Sequence, residues 1–311
     1  MVIVTYRRGW AISYALDSLT KQTVEPHEVI LVLKPSNDGS EKVINNYLGK
    51  LPLQLIIQEK GNVTDAVSIG LKKAQGDLIL FLDDDAIAHP HWIKRYIEFF
   101  TKFPDAGGAT GFTYAAELHE DKIILKSEAF YKDQYTGIRF HRQPLKIFNG
   151  YSGFLSTSGI PGNLSDGRKI IRSTYMGGLN MGWRKEALLG CDLSIAYKES
   201  FRGFLYEHYL AFWARLRGFY TYEIKDLSIA PIVWHIQHSD SLTRGGTFKD
   251  FWMQYDRAYM YWRLKRLTKE VNFLAYIIGL LVTSRQKSFS RFLGSFYGLI
   301  RGLSFYLQYR K

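Results

Sequence analysis

Residues Leu78 to Leu82 form an uninterrupted apolar run that ends at once in three carboxylates, Asp83, Asp84 and Asp85, with Gly76-Asp77 before it and His89-Pro90 after it. A short, wholly apolar segment between turn signals reads as a central strand of a parallel sheet, buried on both faces. In such sheets ligands collect beyond the carboxyl ends of the strands, so the acids stand where a ligand would. Three adjacent carboxylates raise one another's pKa unless a cation neutralises them, and an Asp-x-Asp pair of hard oxygens suits Mn2+ or Mg2+. The competing reading is a solvated acidic turn, which is what most short charge runs are.

The residues around this strand repeat one theme. Strand Val2–Thr5 leads to a helix with Ile12, Ala15, Leu16 and Leu19 on one face, and strand Val29–Leu33 to one with Val43, Ile44, Tyr47 and Leu48. Strand Leu53–Ile57 precedes a helix near 63–74, and a further helix near 92–100 follows the acids. Alternation of this kind predicts an α/β fold, a mostly parallel, right-handed crossover sheet with helices on both faces. After Gly111 the rhythm breaks. Residues 114–173 are polar, aromatic and glycine-rich, reading as loops with short strands of the kind that carry substrate contacts. A helix returns near 206–217, followed by a strand-and-loop segment, 231–244, with two histidines. The expected organisation is a domain over 1–243, divided into halves 1–113 and 114–243, and a helical tail over 244–311.

Composition narrows the function. A chain of 311 residues, 46% hydrophobic, can bury a substantial core. A single cysteine, Cys191, excludes an intramolecular disulfide framework and points to a reducing, cytoplasmic compartment. The chain opens on Met1-Val2-Ile3-Val4-Thr5, read as a strand and not as a leader. The net charge of +12 is confined to the tail: 13 basic against 3 acidic residues from Arg244 onward, and 28 against 26 before it. Charge alone does not choose among RNA, DNA and anionic lipid. Spacing does.

A single-strand-stacking platform interleaves aromatics with Lys and Arg at a period of two, whereas this tail has helical spacing, so no nucleic acid is expected. The 14 uncharged residues between Glu270 and Arg285 fall short of the ~20 needed to cross a bilayer. Beyond them Phe289, Leu293, Phe296, Ile300, Leu303 and Leu307 recur at intervals of three and four, flanked by Arg291, Arg301, Arg310 and Lys311. This predicts a helix lying on an anionic membrane surface, with the protein peripheral on the cytoplasmic face. Gly294, Gly298 and Gly302 form a ridge suited to close helix approach, either with residues 271–284 or between subunits of a homo-oligomer.

Several segments resemble the inverting glycosyltransferases of family 2, which use the GT-A fold and nucleotide-sugar donors. The resemblance covers roughly residues 1–240. Val2-Ile3-Val4-Thr5-Tyr6-Arg7-Arg8 is similar to the family's opening strand and turn, and implies donor contacts for Thr5, Tyr6 and Arg7. Gly76 to Asp85 resembles its Gly-Asp-strand-Leu-Asp-x-Asp segment. This implies that Asp83 joins the nucleotide and metal network, that Asp85 binds the metal, and that Asp84 is the variable middle position on the donor side. Gly177-Gly178-Leu179-Asn180-Met181-Gly182-Trp183-Arg184 resembles the segment beside the acceptor site, implicating Gly178, Asn180 and Trp183.

Tyr206-Glu207-His208-Tyr209-Leu210, with Gly218 beyond, is similar to the Glu-Asp-x-x-Leu helix whose second acid is the catalytic base. Aligning on Leu210 and Gly218 puts Glu207 at that position; aligning on the acid pair puts His208 there. His235 and His238 precede Ser241-Leu242-Thr243-Arg244, a polar stretch suited to covering a diphosphate, and the resemblance to GT-A enzymes, several of which complete the metal shell with a histidine in such a loop, implies a ligand role for either. Two departures stand out. The base-reading acid after the second strand is absent, leaving Lys34 to approach a phosphate or base, and the third helix carries Asp65 where an arginine is common. Both put a uridine preference in doubt.

The reading implied is a metal-dependent transfer of a sugar from a nucleoside-diphosphate sugar to a glycan or lipid-linked acceptor. Its rivals are a nucleotidyltransferase, for which Thr5-Tyr6-Arg7-Arg8-Gly9 is too poor in glycine, and a non-enzymatic module that uses the tail to bind nucleic acid or lipid.

Overall fold

The computed structural model describes residues 1–120, 122–130, 135–238, 247–284 and 289–310. The first half runs β1 (Val2–Thr5), α1 (Ile12–Thr20), β2 (Val29–Leu33), α2 (Ser40–Asn45), β3 (Leu53–Ile57), α3 (Val63–Lys73), β4 (Leu78–Leu82), β5 (Ala86–Ala88), α4 (Trp92–Lys102) and β6 (Ala106–Thr110). Then come β7 (Phe112–His119), β8 (Lys122–Ala129), β9 (Gly153–Leu155), β10 (Pro161–Asn163), β11 (Ile170–Arg172), β12 (Asn180–Arg184), α5 (Leu193–Ala196), α6 (Tyr206–Leu216), β13 (Tyr220–Ile224) and β14 (Ile232–Gln237). Three helices close the chain: α7 (Thr247–Leu267), α8 (Phe273–Ser284) and α9 (Phe289–Tyr309).

Eight strands form one sheet in the order β11-β13-β6-β12-β4-β1-β2-β3. The block β4-β1-β2-β3 is parallel, as the strand-helix alternation requires, and β13 is parallel to β6. Antiparallel β12 is let in between β4 and β6, so the sheet is mostly, not wholly, parallel. A second sheet has the order β5-β14-β7-β8. Since β4 belongs to the first sheet and β5 to the second, Asp83, Asp84 and Asp85 form the joint between them. The apolar strands and the faces of α1 and α4 fill one core, while α3, α5 and α6 share another with α7 and α8. An Asn62–Asp65 capping box starts α3: the Asn62 side chain accepts from the Thr64 N–H at 2.7 Å and Asp65 accepts from the Asn62 N–H at 2.8 Å.

The C-terminal helices are built into this body. Fully buried Arg263 on α7 pairs with Asp256 at 2.8 Å and donates to the Ala196 carbonyl, while Asp256 also accepts from Ser200 and from the Phe204 N–H. Every charge is answered, which a buried ion pair requires. The glycine ridge of α9 packs on α7. A Cβ at Gly294 would stand 2.3 Å from the Phe251 carbonyl oxygen, and one at Gly298 2.4 Å from that of Tyr255. The expected pairing with 271–284 or with a second subunit is therefore corrected. The long aromatic face of α7 takes the ridge within the chain, leaving it no surface for a homo-oligomer.

Two of the basic residues expected to flank a membrane face are also spoken for: Arg291 pairs with Asp250 and Arg301 with Glu199. Lys311 lies outside the described residues. The stripe itself stays open, with Phe289 75%, Phe296 56% and Leu307 55% exposed, so the apolar face the sequence predicted is not spent on the core. Among the described residues no helix is long and apolar enough to cross a membrane.

Gly298→Ala tests the ridge. Alanine gains ~1 kcal/mol of helix propensity over glycine, but its Cβ meets backbone that cannot rotate away, and overpacking costs ~1–3 kcal/mol. The expected net result is a lower denaturant midpoint. An unchanged or higher midpoint would show that α9 can lift from α7 at no cost.

Candidate active site

The site grows from the joint between the two sheets. Strand β4 is fixed by β1 on one side and β12 on the other, so Asp83 emerges at the sheet's edge, its N–H directed to the Leu179 carbonyl. The backbone turns and enters β5, whose Ala86 pairs with His235 of β14. That register brings the histidine to the acids. His235 Nε2 lies 3.1 Å from Asp85 Oδ1, and His238 Nε2 lies 2.9 Å from Asp85 Oδ2. Asp83, Asp85 and His235 each offer a ligand atom within 4.8 Å of the others.

The spacing fits a divalent ion. Two ligand atoms at right angles, each about 2.1 Å from one ion, stand about 3 Å apart, as the Asp85 and His235 atoms do. Two carboxylates and an imidazole form a mixed oxygen-nitrogen donor set. Both Nδ1 atoms, of His235 and His238, are buried and find no hydrogen-bond partner among the described residues.

The sequence reading assigned Arg8 no role, yet it sits under the acids. Its Nε donates to Asp85 Oδ2 at 3.2 Å and lies 3.5 Å from Asp84 Oδ1. The preceding residue, Arg7, has a φ of +58°, a left-handed turn that swings Arg8 inward while Arg7 stays exposed over the Tyr6 ring. Two consecutive arginines after an opening strand were the only hint in the sequence.

Charges in this joint are unequal. Burial works to raise the Asp85 pKa, but hydrogen bonds from His235 and His238 and the charge of Arg8 hold it well below the usual carboxylate range. Burial and the Asp85 charge push Asp83 up to about 6. Asp84 is raised further, by burial and by Asp85, against the opposing pull of Arg8. Its side chain faces Arg8 and is 12% exposed, against 5% for that of Asp85.

Other predicted donor residues divide. Thr5 is buried at the end of β1, and Tyr6 is half-buried, with Lys34 Nζ 5.6 Å from its ring. Lys34 donates to the Gly61 carbonyl at 2.7 Å, so Tyr6, Arg7 and Lys34 share one wall beside β1. Asp65 borders Gly61, and its carboxylate serves the α3 cap.

On the acceptor side the structure keeps one predicted residue of three at the site. Gly178 borders the Glu207 carboxylate so closely that a Cβ there would stand 2.7 Å from Oε1. Asn180 is fully buried, its Oδ1 accepting from Trp92 and Tyr96 and its Nδ2 donating to the Phe112 and Pro231 carbonyls. It ties the two sheets together. Trp183 is also fully buried, against Gly108. Both are corrected from acceptor contacts to interior residues, because β12 lies between β4 and β6 and is buried on both faces.

Helix α6 supplies Glu207 and His208 from its first turn, after Leu205 in a left-handed conformation. Burial and the Asp83 charge raise Glu207 to about 8, against a hydrogen bond from its own N–H. His208 points elsewhere. Its Nδ1 lies 3.1 Å from Thr174 Oγ1, its ring packs on Tyr175, and burial lowers it to about 3. Only Glu207 stands within electrostatic reach of the acid cluster. The proposed diphosphate cover, Ser241 to Arg244, lies outside the described residues.

Comparison with known proteins fits this geometry. The model of the family described as "Glycosyl transferase family 2" matches residues 1–158. Similar curated proteins include the Bacillus subtilis "Uncharacterized glycosyltransferase YwdF", 38% identical over 99 residues, 30% of this chain and 35% of that protein. The Haloferax volcanii "Glucosyl-dolichyl phosphate glucuronosyltransferase" is 26% identical over 139 residues, 43% of this chain and 42% of that protein. The chain thus spans about a third to two fifths of these relatives' lengths. In fold it resembles S. aureus TarS residues 1–349, solved in complex with UDP-GlcNAc, with a TM-score of 0.54 and 17% identity, covering 100% of this chain and 80% of that one. It also resembles GalNAc-T7 solved with UDP, GalNAc and Mn2+, with a TM-score of 0.56 and 15% identity over 85% of this chain and 47% of that one. A GT-A sheet with acids at the end of β4 and a family match over half its length make this chain a member of glycosyl transferase family 2.

Proposed function

We propose that this glycosyltransferase is metal-dependent and inverting, moving a sugar from a nucleoside-diphosphate sugar to a hydroxyl of a glycan or lipid-linked acceptor at the cytoplasmic membrane face. The observation that carries the reading is the convergence of Asp83, Asp85 and His235, with Glu207 close enough for the Asp83 charge to raise its pKa. Asp83, Asp85 and His235, with His238 beside them, would hold Mn2+ or Mg2+; the imidazole favours Mn2+. A divalent cation at such a site neutralises charge developing on the leaving diphosphate. Tyr6, Arg7 and Lys34 line the donor side. Glu207 takes the proton from the acceptor hydroxyl, which enters past Gly178 and attacks opposite the leaving group in a single displacement.

Hydrolysis of UDP-, GDP- and dTDP-sugars in Mn2+, in Mg2+ and in EDTA tests this directly. Slow hydrolysis of one donor, dependent on the cation, is expected. Hydrolysis that is equal in EDTA, or that fails for every donor, overturns the reading.

Within this proposal residues 1–243 carry the chemistry and 244–311 the membrane contact, through the exposed face of α8 and α9 that includes Phe273, Leu281, Phe292 and Phe296. With Arg291 and Arg301 paired inside the chain, the apolar term dominates attraction to the bilayer. Removing α9 would uncover α7, so placing negative charge on the face is the cleaner test. Phe292→Glu with Phe296→Glu is expected to weaken flotation with phosphatidylglycerol vesicles by at least about tenfold while leaving donor hydrolysis intact. Flotation that survives the substitutions, or a wild-type chain that ignores vesicles, removes the membrane assignment.

A further inference from the structure

Glu207 stands in the first turn of α6, so the segment that feeds this helix, 196–205, sets where its carboxylate points. That segment is a strap gripped by the C-terminal helices. Asp256 of α7, fully buried, divides its two carboxylate oxygens between two tasks. Oδ1 accepts from Arg263 at 2.8 Å, while Oδ2 accepts from the Ser200 hydroxyl at 2.7 Å and from the Phe204 N–H at 3.0 Å. Arg263 in turn donates from Nε to the Ala196 carbonyl at 2.8 Å, with its Cζ 3.6 Å from the centre of the Tyr197 ring. From α9, Arg301 Nε reaches the Glu199 carboxylate at 3.0 Å.

The same strap is tied to the donor half. Asn62, the cap of α3, donates from Nδ2 to the Ser200 carbonyl at 2.6 Å and to the Tyr197 carbonyl at 3.2 Å. Its neighbour Gly61 receives Lys34 from the donor wall. The ties meet at Ser200, whose hydroxyl also accepts from the Gly203 N–H at 2.6 Å. Beyond it the backbone turns left-handed twice, at Gly203 with a φ of +67° and at Leu205 with a φ of +70°. A left-handed leucine is strained and persists only where its surroundings over-determine it. The bonds at Ser200 and Phe204 supply that constraint directly ahead of the helix. Successive residues of a helix point about 100° apart, so a modest rotation at this entry turns Glu207 away from Asp83.

We propose that Ser200 and Asp256 are positioning residues for Glu207: the strap they lock holds the base in place for the acceptor hydroxyl, and α7 thereby serves the chemistry as well as the membrane contact. This rests on the reading of Glu207 as base.

The test uses the full chain, with donor hydrolysis measured in Mn2+ and donor affinity by calorimetry. Ser200→Ala is expected to lower kcat by roughly tenfold to a hundredfold with donor affinity unchanged. In a Glu207→Gln background the same substitution is expected to cost almost nothing, because a residue that acts through the base then has nothing to position. Ser200→Cys keeps the size and a weak S–H donor and should recover part of the rate; it takes the place of the alanine variant in both backgrounds if that variant does not fold. A network that only stabilises the fold gives a lower denaturant midpoint with kcat unchanged, or a loss of the same size in both backgrounds, and either result overturns the proposal. Hydrolysis unchanged by Glu207→Gln alone is a different failure, in which the base reading falls and the proposal with it.

Discussion

Asp85→Ala is expected to abolish cation-dependent donor binding, and chelation of the wild-type chain to do the same. Asp85 receives His235, His238 and Arg8 at 2.9–3.2 Å, so its removal takes away both a ligand and the charge that organises the others. Left without it, two imidazoles and a guanidinium face one another around Asp83 and Asp84. Asp83→Ala is expected to weaken both nucleotide and cation but to leave the histidines anchored. Donor affinity is read by titration calorimetry in Mn2+ and in EDTA. Equal affinity in the two would mean that the acids are an internal ion-pair network and that charge on the diphosphate is met by Lys34 and Arg7.

Glu207→Gln is expected to lower turnover by roughly 100-fold or more with donor affinity retained, because the amide keeps the shape of the carboxyl and cannot accept the proton. The pH profile should carry the same signature. A base must be deprotonated to act, and burial with the Asp83 charge holds Glu207 at about 8. Activity therefore rises with pH through neutrality, and this limb disappears in the glutamine variant. A cation that neutralises Asp83 moves the limb to lower pH. His208→Ala, by contrast, removes a buried ring that packs on Tyr175, so it should cost stability more than chemistry. A larger loss at the chemical step in the histidine variant would reverse the two roles.

Much of the first half of the fold was legible because its signals are local. The period of apolar residues gives β1, β2, β3 and β4 and the helices after them, and the run from Leu78 into three aspartates marks the end of a central strand without reference to any other part of the chain. Glu207 and His208 were legible as a pair only. One residue of register separates them, and on a helix that is a rotation of about 100°, which turns one side chain toward Asp83 and the other into the core.

Asn180 and Trp183 misled because the pattern that recommends them, a glycine-rich turn followed by polar and aromatic residues, also describes a strand inserted at the centre of a sheet. Burial on both faces of β12 then makes Asn180 a bridge and Trp183 a filler. The capping role of Asp65 is visible locally too, in Asn62-Val63-Thr64-Asp65.

The sequence by itself determined the family, the mostly parallel sheet, the acids at the end of β4, helix α6 and the amphipathic C-terminal helix, since each is written in a contiguous stretch with its own periodicity. Tertiary structure alone decided what meets the acids. Arg8, 76 positions before Asp84, is folded against Asp84 and Asp85 by the left-handed turn at Arg7. His235 meets Asp85 because β5 and β14 pair in one register. The glycine ridge belongs to α7 because Phe251, Tyr255 and Trp262 of that helix meet Gly294, Gly298 and Gly302 in turn. These are contacts between segments far apart in the chain, and no local pattern specifies which of several compatible surfaces will meet.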